Sequence, residues 1–205
     1  MSLQGLLVDY GGVLTTNVFE SFRAFSVSRG LEPNAVKDLF RSQPRARELV
    51  RGLETGALTD DEFNDGFGAL LELEDRGAIV ADLFGHAGPD EAMIAAVRAT
   101  RAQGIRTGLI SNSMGSGIYD RAMLDELFDG VTISGDVGMH KPQPEIYRLA
   151  AERIDVPVEQ CVIVDDLREN CAGAEAVGMT AILHRGAETT LPRLEELLSV
   201  ELTAS

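Results

Sequence analysis

The sequence predicts an α/β fold: a Rossmann-like parallel sheet with helices on both faces, plus an inserted all-helical segment. Three observations carry this. From residue 90 onward, short apolar runs alternate with amphipathic stretches, the pattern of a parallel sheet covered on both sides. One more apolar run of the same kind, Leu6-Leu7-Val8, stands apart near the start. Between the two, residues 16–88 show helical periodicity and no convincing strand.

The elements follow in order. Leu6 to Val8 is a buried strand stopped by Asp9 and the pair Gly11-Gly12, a tight turn. Asn17 to Arg29, Pro33 to Phe40 and Pro44 to Leu53 read as helices, with Val18, Phe22 and Phe25 at helical spacing. Thr59-Asp60-Asp61-Glu62 matches a capping box ahead of Phe63, Phe67 and Leu70. Glu91 to Gln103 is a helix ended by Gly104. Thr107 to Ile110 is a strand, Ile118 to Leu127 a helix and Val131 to Ser134 a strand. Pro144 to Ile154 is a helix with its proline near the start. Cys161 to Val164 is a strand, Glu169 to Val177 a helix stopped by Gly178, Thr180 to Leu183 a strand, and Leu191 to Val200 a closing helix. The expected division is a core of residues 1–15 and 89–205 with an insertion over 16–88.

Composition narrows the function classes. The 205 residues suffice to bury a core without staples, and two cysteines, Cys161 and Cys171, do not make a disulfide framework. Free buried thiols in a reducing cytoplasm are expected. A formal net charge of -15 argues against nucleic acid, which attracts basic surfaces. No stretch approaches the ~20 apolar residues that span a bilayer, so no membrane partner is expected. No basic leader precedes Leu6, and a cytoplasmic location is the expectation. An anionic substrate stays compatible with the acidity, because a metal ion and one lysine can reverse a local field.

In an open parallel sheet, ligands bind outside the carboxyl ends of the strands. Those ends carry Asp9, Ser111-Asn112 and Asp165-Asp166, and Lys141 lies in the loop after the third core strand. Asp9 alone reads either as a turn former or as a carboxylate nucleophile. Its ordinary pKa of ~4 leaves it ionised at neutral pH without a helper base. Asp165-Asp166 beside Asp9 would repel one another unless a cation sits between them, and magnesium, with its preference for carboxylate oxygens, is the natural one. The alternative reading of the pair is an acidic helix N-terminus. Ser111-Asn112 offer a hydroxyl, an amide and backbone N–H groups to a phosphoryl oxygen, and the loop of Lys141 is stiffened by Pro142 and Pro144.

In order, these segments resemble the four motifs of the haloacid dehalogenase-like hydrolases. Leu6-Leu7-Val8-Asp9-Tyr10-Gly11-Gly12-Val13-Leu14 resembles the first and Leu109-Ile110-Ser111-Asn112 the second. Lys141-Pro142-Gln143-Pro144-Glu145-Ile146-Tyr147 resembles the third, and Val162-Ile163-Val164-Asp165-Asp166-Leu167-Arg168-Glu169-Asn170 the fourth. The resemblance implies a helical cap after the first motif, and Thr55-Gly56-Ala57-Leu58-Thr59 resembles a cap signature. It implies Asp9 as nucleophile and magnesium ligand, with Gly11 offering its carbonyl and Asp165 and Asp166 completing the metal site. It further implies Ser111, Asn112 and Lys141 at the phosphoryl group, Lys141 also neutralising Asp9. One position departs from the usual family pattern. Gly11 stands where phosphatases of this family usually carry a second aspartate, the general acid and base.

The expected function is a magnesium-dependent phosphatase on a small phosphorylated metabolite. Two rivals are a metal-independent haloacid dehalogenase and a non-enzymatic ligand-binding or regulatory protein that retains the site. Arg23, Arg45, Arg47 and Arg51 in the insertion read first as solvated helix faces and second as contacts to an anionic substrate. His86 and His140 show no ligand spacing.

Overall fold

The computed structural model describes residues 2–113, 115 and 118–202. Five strands form one parallel sheet: β1 (Gly5–Val8), β2 (Arg106–Ser111), β3 (Gly130–Ile133), β4 (Cys161–Asp165) and β5 (Thr180–Leu183). Their order across the sheet is β3-β2-β1-β4-β5. β1 is therefore the central strand, with Val8 paired to Leu109 on one side and to Val164 on the other.

Side chains alternate across a strand, so each strand feeds two cores. Leu6, Val8, Leu109, Val162 and Val164 face one cluster. It is closed by α6 (Glu91–Ala102), α7 (Arg121–Leu127) and α11 (Ala187–Leu198). Leu7, Ile110 and Ile163 face the other, closed by α9 (Pro144–Arg153) and α10 (Arg168–Ala176). The doubly covered parallel sheet is the architecture expected from the alternating pattern.

Between β1 and β2 run α1 (Val18–Ser28), α2 (Ala35–Ser42), α3 (Pro44–Glu54), α4 (Asp60–Leu70) and α5 (Ile79–Gly85). They pack around a cluster of their own, centred on Phe25, Leu49, Phe63, Phe67 and Ile79. The chain leaves and re-enters the core side by side: Thr16 N donates to Gly88 O (2.8 Å) and Asp90 N to Leu14 O (2.9 Å). The capping box forms, Thr59 Oγ1 accepting from Glu62 N while Glu62 accepts from Thr59 N.

Several boundaries differ from the sequence expectation. α7 begins at Arg121, not Ile118, because the Asp120 carboxylate caps it, accepting from Ala122 N and Met123 N. Ser134 belongs not to β3 but to a single turn, α8 (Ser134–Val137). α11 starts four residues before Leu191 and carries Pro192 inside it. α5 was not expected at all. Among the described residues, no helix is long and apolar enough to cross a membrane.

Candidate active site

The sheet order brings the carboxyl ends of β1, β2 and β4 together. Asp9 follows β1 directly, and its N–H donates to Val164 O (3.0 Å), which continues the β1–β4 ladder one residue past the strand. That step sets Asp9 beside Asp165. Carboxylate oxygens of Asp9, Asp165 and Asp166 lie within 4.8 Å of one another.

Lys141 enters from the loop between α8 and α9 and is fully buried. Its Nζ lies 2.9 Å from Asp9 Oδ1 and 2.6 Å from Asp165 Oδ2. Asn112, at the end of β2, holds the lysine's backbone from both sides. Its Oδ1 accepts from Lys141 N (2.8 Å), and its Nδ2 donates to Lys141 O (3.2 Å). The Lys141–Pro142 peptide is cis. Asp165 is fully buried: besides Lys141, it accepts from Leu167 N (2.9 Å) and from Asn170 Nδ2 (3.0 and 3.1 Å).

The charges do not balance. Three clustered carboxylates face one ammonium, and no described cation lies within ion-pair distance of Asp166. Burial pushes the Asp9 carboxyl up to about 7, against the pull of Lys141 and with the repulsion of Asp165 and Asp166. Burial and Asp165 likewise raise Asp166 to about 6. Burial would strip the proton from Lys141, but Asp9 and Asp165 outweigh it and hold the ammonium above the ordinary lysine range. A buried excess of negative charge that carboxyls meet by retaining protons is a setting in which a divalent cation fits.

Gly12 adjoins this cluster with φ +71, and a Cβ there would stand 2.6 Å from Asp166 Oδ2. Glycine is needed at that position for the carboxylate to approach. Gly11 lines the cavity over Asp9 and brings no carboxylate. Ser111 is buried, and its hydroxyl pairs with Tyr119 Oη at 3.1 Å. Asp9, Asp165, Asp166, Lys141 and Asn112 thus converge in one cluster, with Ser111 and Gly11 on adjoining backbone. Arg23, Arg45, Arg47 and Arg51 stay exposed and do not line this cavity. Both cysteines are free and buried, with burial pushing Cys161 to about 12 and Cys171 to about 11, which leaves them inert at neutral pH.

Two residues were missed. Asn170 fixes Asp165 from the first turn of α10, and an amide placed just after an acidic pair was the available signal. Glu54 closes α3 and lines the same cavity as Asp9. Burial raises its pKa despite the nearby His140 and a hydrogen bond from the Asn112 side chain. Its carbonyl accepts from Ser134 Oγ, which ties the insertion to α8 of the core. The signal was its place four residues after Val50, on a stripe that also lines the cavity.

The model of the haloacid dehalogenase-like hydrolase family matches residues 3–178. "Sesquiterpene phosphatase astK" of Aspergillus oryzae is 28% identical over 74% of the chain and 80% of that protein. "Phosphatase MT3486" of Mycobacterium tuberculosis is 26% identical over 89% and 88%. "Acyl-CoA dehydrogenase family member 10" of mouse is 25% identical over 98% of the chain, which spans 20% of that protein. Among solved structures, a predicted HAD-like family hydrolase of Porphyromonas gingivalis superposes with a TM-score of 0.74 at 20% identity, covering 98% of this chain and 100% of that one. A HAD family enzyme of Bacteroides thetaiotaomicron, solved with magnesium and inorganic phosphate, gives 0.64 at 20% identity over 88% and 93%.

Proposed function

The chain belongs to the haloacid dehalogenase-like hydrolases, and from that premise we propose that it is a magnesium-dependent phosphatase acting on a small phosphorylated metabolite through Asp9. The observation that carries this reading is the buried cluster of Asp9, Asp165 and Asp166 with Lys141 between the first two. Relatives named as phosphatases and a neighbour solved with magnesium and phosphate support it. We take residues 16–88 as the cap and residues 1–15 and 89–205 as the catalytic core.

In this reading Asp9, Asp166 and the Gly11 carbonyl hold magnesium, and Asp165 joins them directly or through water. Bound there, the ion supplies charge stabilisation to the phosphoryl oxygens. A free oxygen of the Asp9 carboxylate attacks phosphorus, a bond from Asp9 to phosphorus forms, and the bond to the alcohol oxygen breaks. Water then cleaves the aspartyl-phosphate, releasing inorganic phosphate and restoring Asp9. Lys141 keeps Asp9 oriented and ionised and stabilises charge on the phosphoryl group, where Ser111 adds a hydroxyl. Asn112, with both amide atoms on the Lys141 backbone, acts as a positioning residue in addition to any contact with phosphate.

The departing alcohol oxygen needs a proton that Gly11 cannot give. Glu54 takes this role in the proposal. Of the described residues lining the cavity, it is the carboxyl outside the Asp9 and Asp166 pair, and burial favours its protonated form. A metal-independent dehalogenase would gain little from Asp166, whose carboxylate has no ion-pair partner among the described residues. A binding protein without turnover would not need an acid at Glu54. The test is a magnesium-supplemented screen of phosphate esters with Asp9→Asn as control. Release of inorganic phosphate by the wild type, and none by the variant, is expected. Release unaffected by Asp9→Asn overturns the assignment.

A further inference from the structure

The cavity over Asp9 measures about 260 Å³ and lies between the insertion and the carboxyl edge of the sheet. Its walls come from all five helices of the insertion. Five phenylalanines line it: Phe19 and Phe22 of α1, Phe40 of α2, Phe63 of α4 and Phe84 of α5. Across from them on the core side is Leu167, just after the acidic pair. Among the described residues three large apolar side chains are exposed, and two of them, Phe19 at 53% and Leu167 at 38%, are cavity residues. An apolar surface left open to water at the rim of a site marks a place that an apolar ligand covers.

The polar inventory points the same way. No lysine, arginine or histidine is among the described lining residues, so a second anionic group would find no counter-charge. Its charged members are Asp9, Asp166 and Glu54, all acidic. Two of its three amide or hydroxyl side chains are already spent, Asn112 on the Lys141 backbone and Asn170 on Asp165. The hydroxyls of a sugar or polyol would exchange water for aromatic rings, at a loss.

We infer that the alcohol esterified to phosphate in this enzyme's substrate is hydrocarbon-rich, an alkyl, isoprenoid or comparable apolar chain seated among the five phenylalanines. The inference rests on the phosphatase reading above and narrows it from small metabolites in general to amphiphilic phosphate monoesters. At ~30 Å³ per water-sized group, the cavity takes roughly nine carbon units before the chain must protrude. The charged end meets Asp9 and the metal, and the chain runs along the rings toward Phe19.

The test is a homologous series of n-alkyl monophosphates from ethyl to decyl, with glycerol phosphate and glucose 6-phosphate as polar comparators. The leaving groups along the alkyl series are matched in chemistry, so chain length is the variable. kcat/KM of the magnesium-loaded protein is expected to climb about fourfold per methylene, the equivalent of ~0.8 kcal/mol, and to level off near the longest chains. Both polar esters should fall below butyl phosphate. Phe19→Ser and Leu167→Ser, at exposed positions that leave the core intact, should each flatten the climb. A separate arm measures calorimetric binding of methylphosphonate and decylphosphonate, which cannot be hydrolysed. Turnover of p-nitrophenyl phosphate with no chain-length dependence overturns the apolar-substrate inference and leaves the phosphatase reading standing. Absence of turnover on every ester sinks the phosphatase reading. In that event the phosphonates still decide the cavity's preference, since equal affinities for the two overturn it.

Discussion

Lys141→Met is the most exposing perturbation of the site. Methionine keeps most of the lysine stem's volume and removes its charge, so packing is held nearly constant. In the wild type the ammonium lies 2.9 Å from Asp9 and 2.6 Å from Asp165, with the lysine and Asp165 side chains fully out of water. Breaking a buried pair by deleting one partner costs about 3–5 kcal/mol, because the remaining charge is left uncompensated. A protein of this size loses about 2–4 °C of Tm per kcal/mol, so a fall of roughly 6–20 °C is expected.

The loss has a pH signature. Asp9 already sits at about 7 with Lys141 present, and without that ammonium its carboxyl is pushed further up. A carboxyl whose folded pKa is raised binds its proton more tightly folded than unfolded. Its unfavourable contribution is therefore absent below the unfolded value of ~4 and complete only above the folded value. The variant should accordingly lie close to wild type near pH 5 and far below it at pH 8. Thermal unfolding in EDTA at the two pH values is the assay, repeated with magnesium, which should recover part of the pH 8 loss. A Tm deficit that is the same at both pH values, or that stays under about 2 °C at pH 8, refutes the charge argument.

Other outcomes follow from the same geometry. Asp9→Asn should abolish phosphate release while matching or exceeding the wild-type Tm in EDTA, since it removes a charge held unfavourably; a folded variant with most of its activity contradicts the nucleophile role. Magnesium affinity, read by calorimetry, should rise from pH 5 to pH 8 as protons leave Asp166 (about 6) and Asp9 (about 7), by up to ~10-fold per pH unit for each proton displaced. Asp166→Asn should weaken binding and reduce that slope, and a pH-independent affinity speaks against these ligands. Glu54→Gln should lower kcat on alkyl phosphates by ~10²–10⁴ and leave p-nitrophenyl phosphate nearly unchanged, because only the poor leaving group needs the proton. Equal losses on both substrates would reduce Glu54 to a structural residue.

How much of this was legible in the sequence depends on how local the cause is. Leu6-Leu7-Val8 before Asp9 and Cys161 to Val164 before Asp165 announced strands ending in acids, because an apolar run and its polar stop lie within one short segment. The capping box at Thr59 is equally local. α5 was not legible. Its N-cap, Ala78, offers no side-chain hydrogen bond, and the first turn is held by Asn64 Oδ1 accepting from Val80 N, sixteen residues away. α11 begins before the expected Leu191, and a proline is more at home in a helix's first turn than in its interior. In the structure Gly186 precedes the helix and Pro192 lies inside it, in its second turn. The strand order is a sum of long-range pairings that no window contains. The meeting of Lys141 with Asp9 depends on that order, and motif resemblance supplied what spacing could not. Glu54 and the phenylalanine cavity stayed hidden for a related reason. They exist only where α3 docks on α8 through Glu54 O and Ser134 Oγ, a contact spanning eighty residues.

The acidity of the chain bears directly on how metal and phosphate binding are coupled. Net charge -15 surrounds a site whose single buried cation is already committed to Asp9 and Asp165. A phosphate approaching that site without metal meets Asp9 and Asp166 and no opposing charge in the cavity wall. Two like charges about 5 Å apart at an effective dielectric of 20 repel by ~3 kcal/mol, or about a hundredfold in affinity for one pair. Filling the acidic cluster with a divalent ion reverses the sign of that interaction. Magnesium should therefore tighten phosphate, and phosphate should in turn tighten magnesium by the same factor, since coupling between sites is reciprocal. Calorimetric titration of inorganic phosphate in EDTA and in saturating magnesium measures this. A phosphate affinity at least ~100-fold weaker in EDTA is the expected result. Equal affinities in the two buffers would mean that a cationic group outside the acidic cluster receives the phosphate, and that Lys141 is not the site's only positive charge.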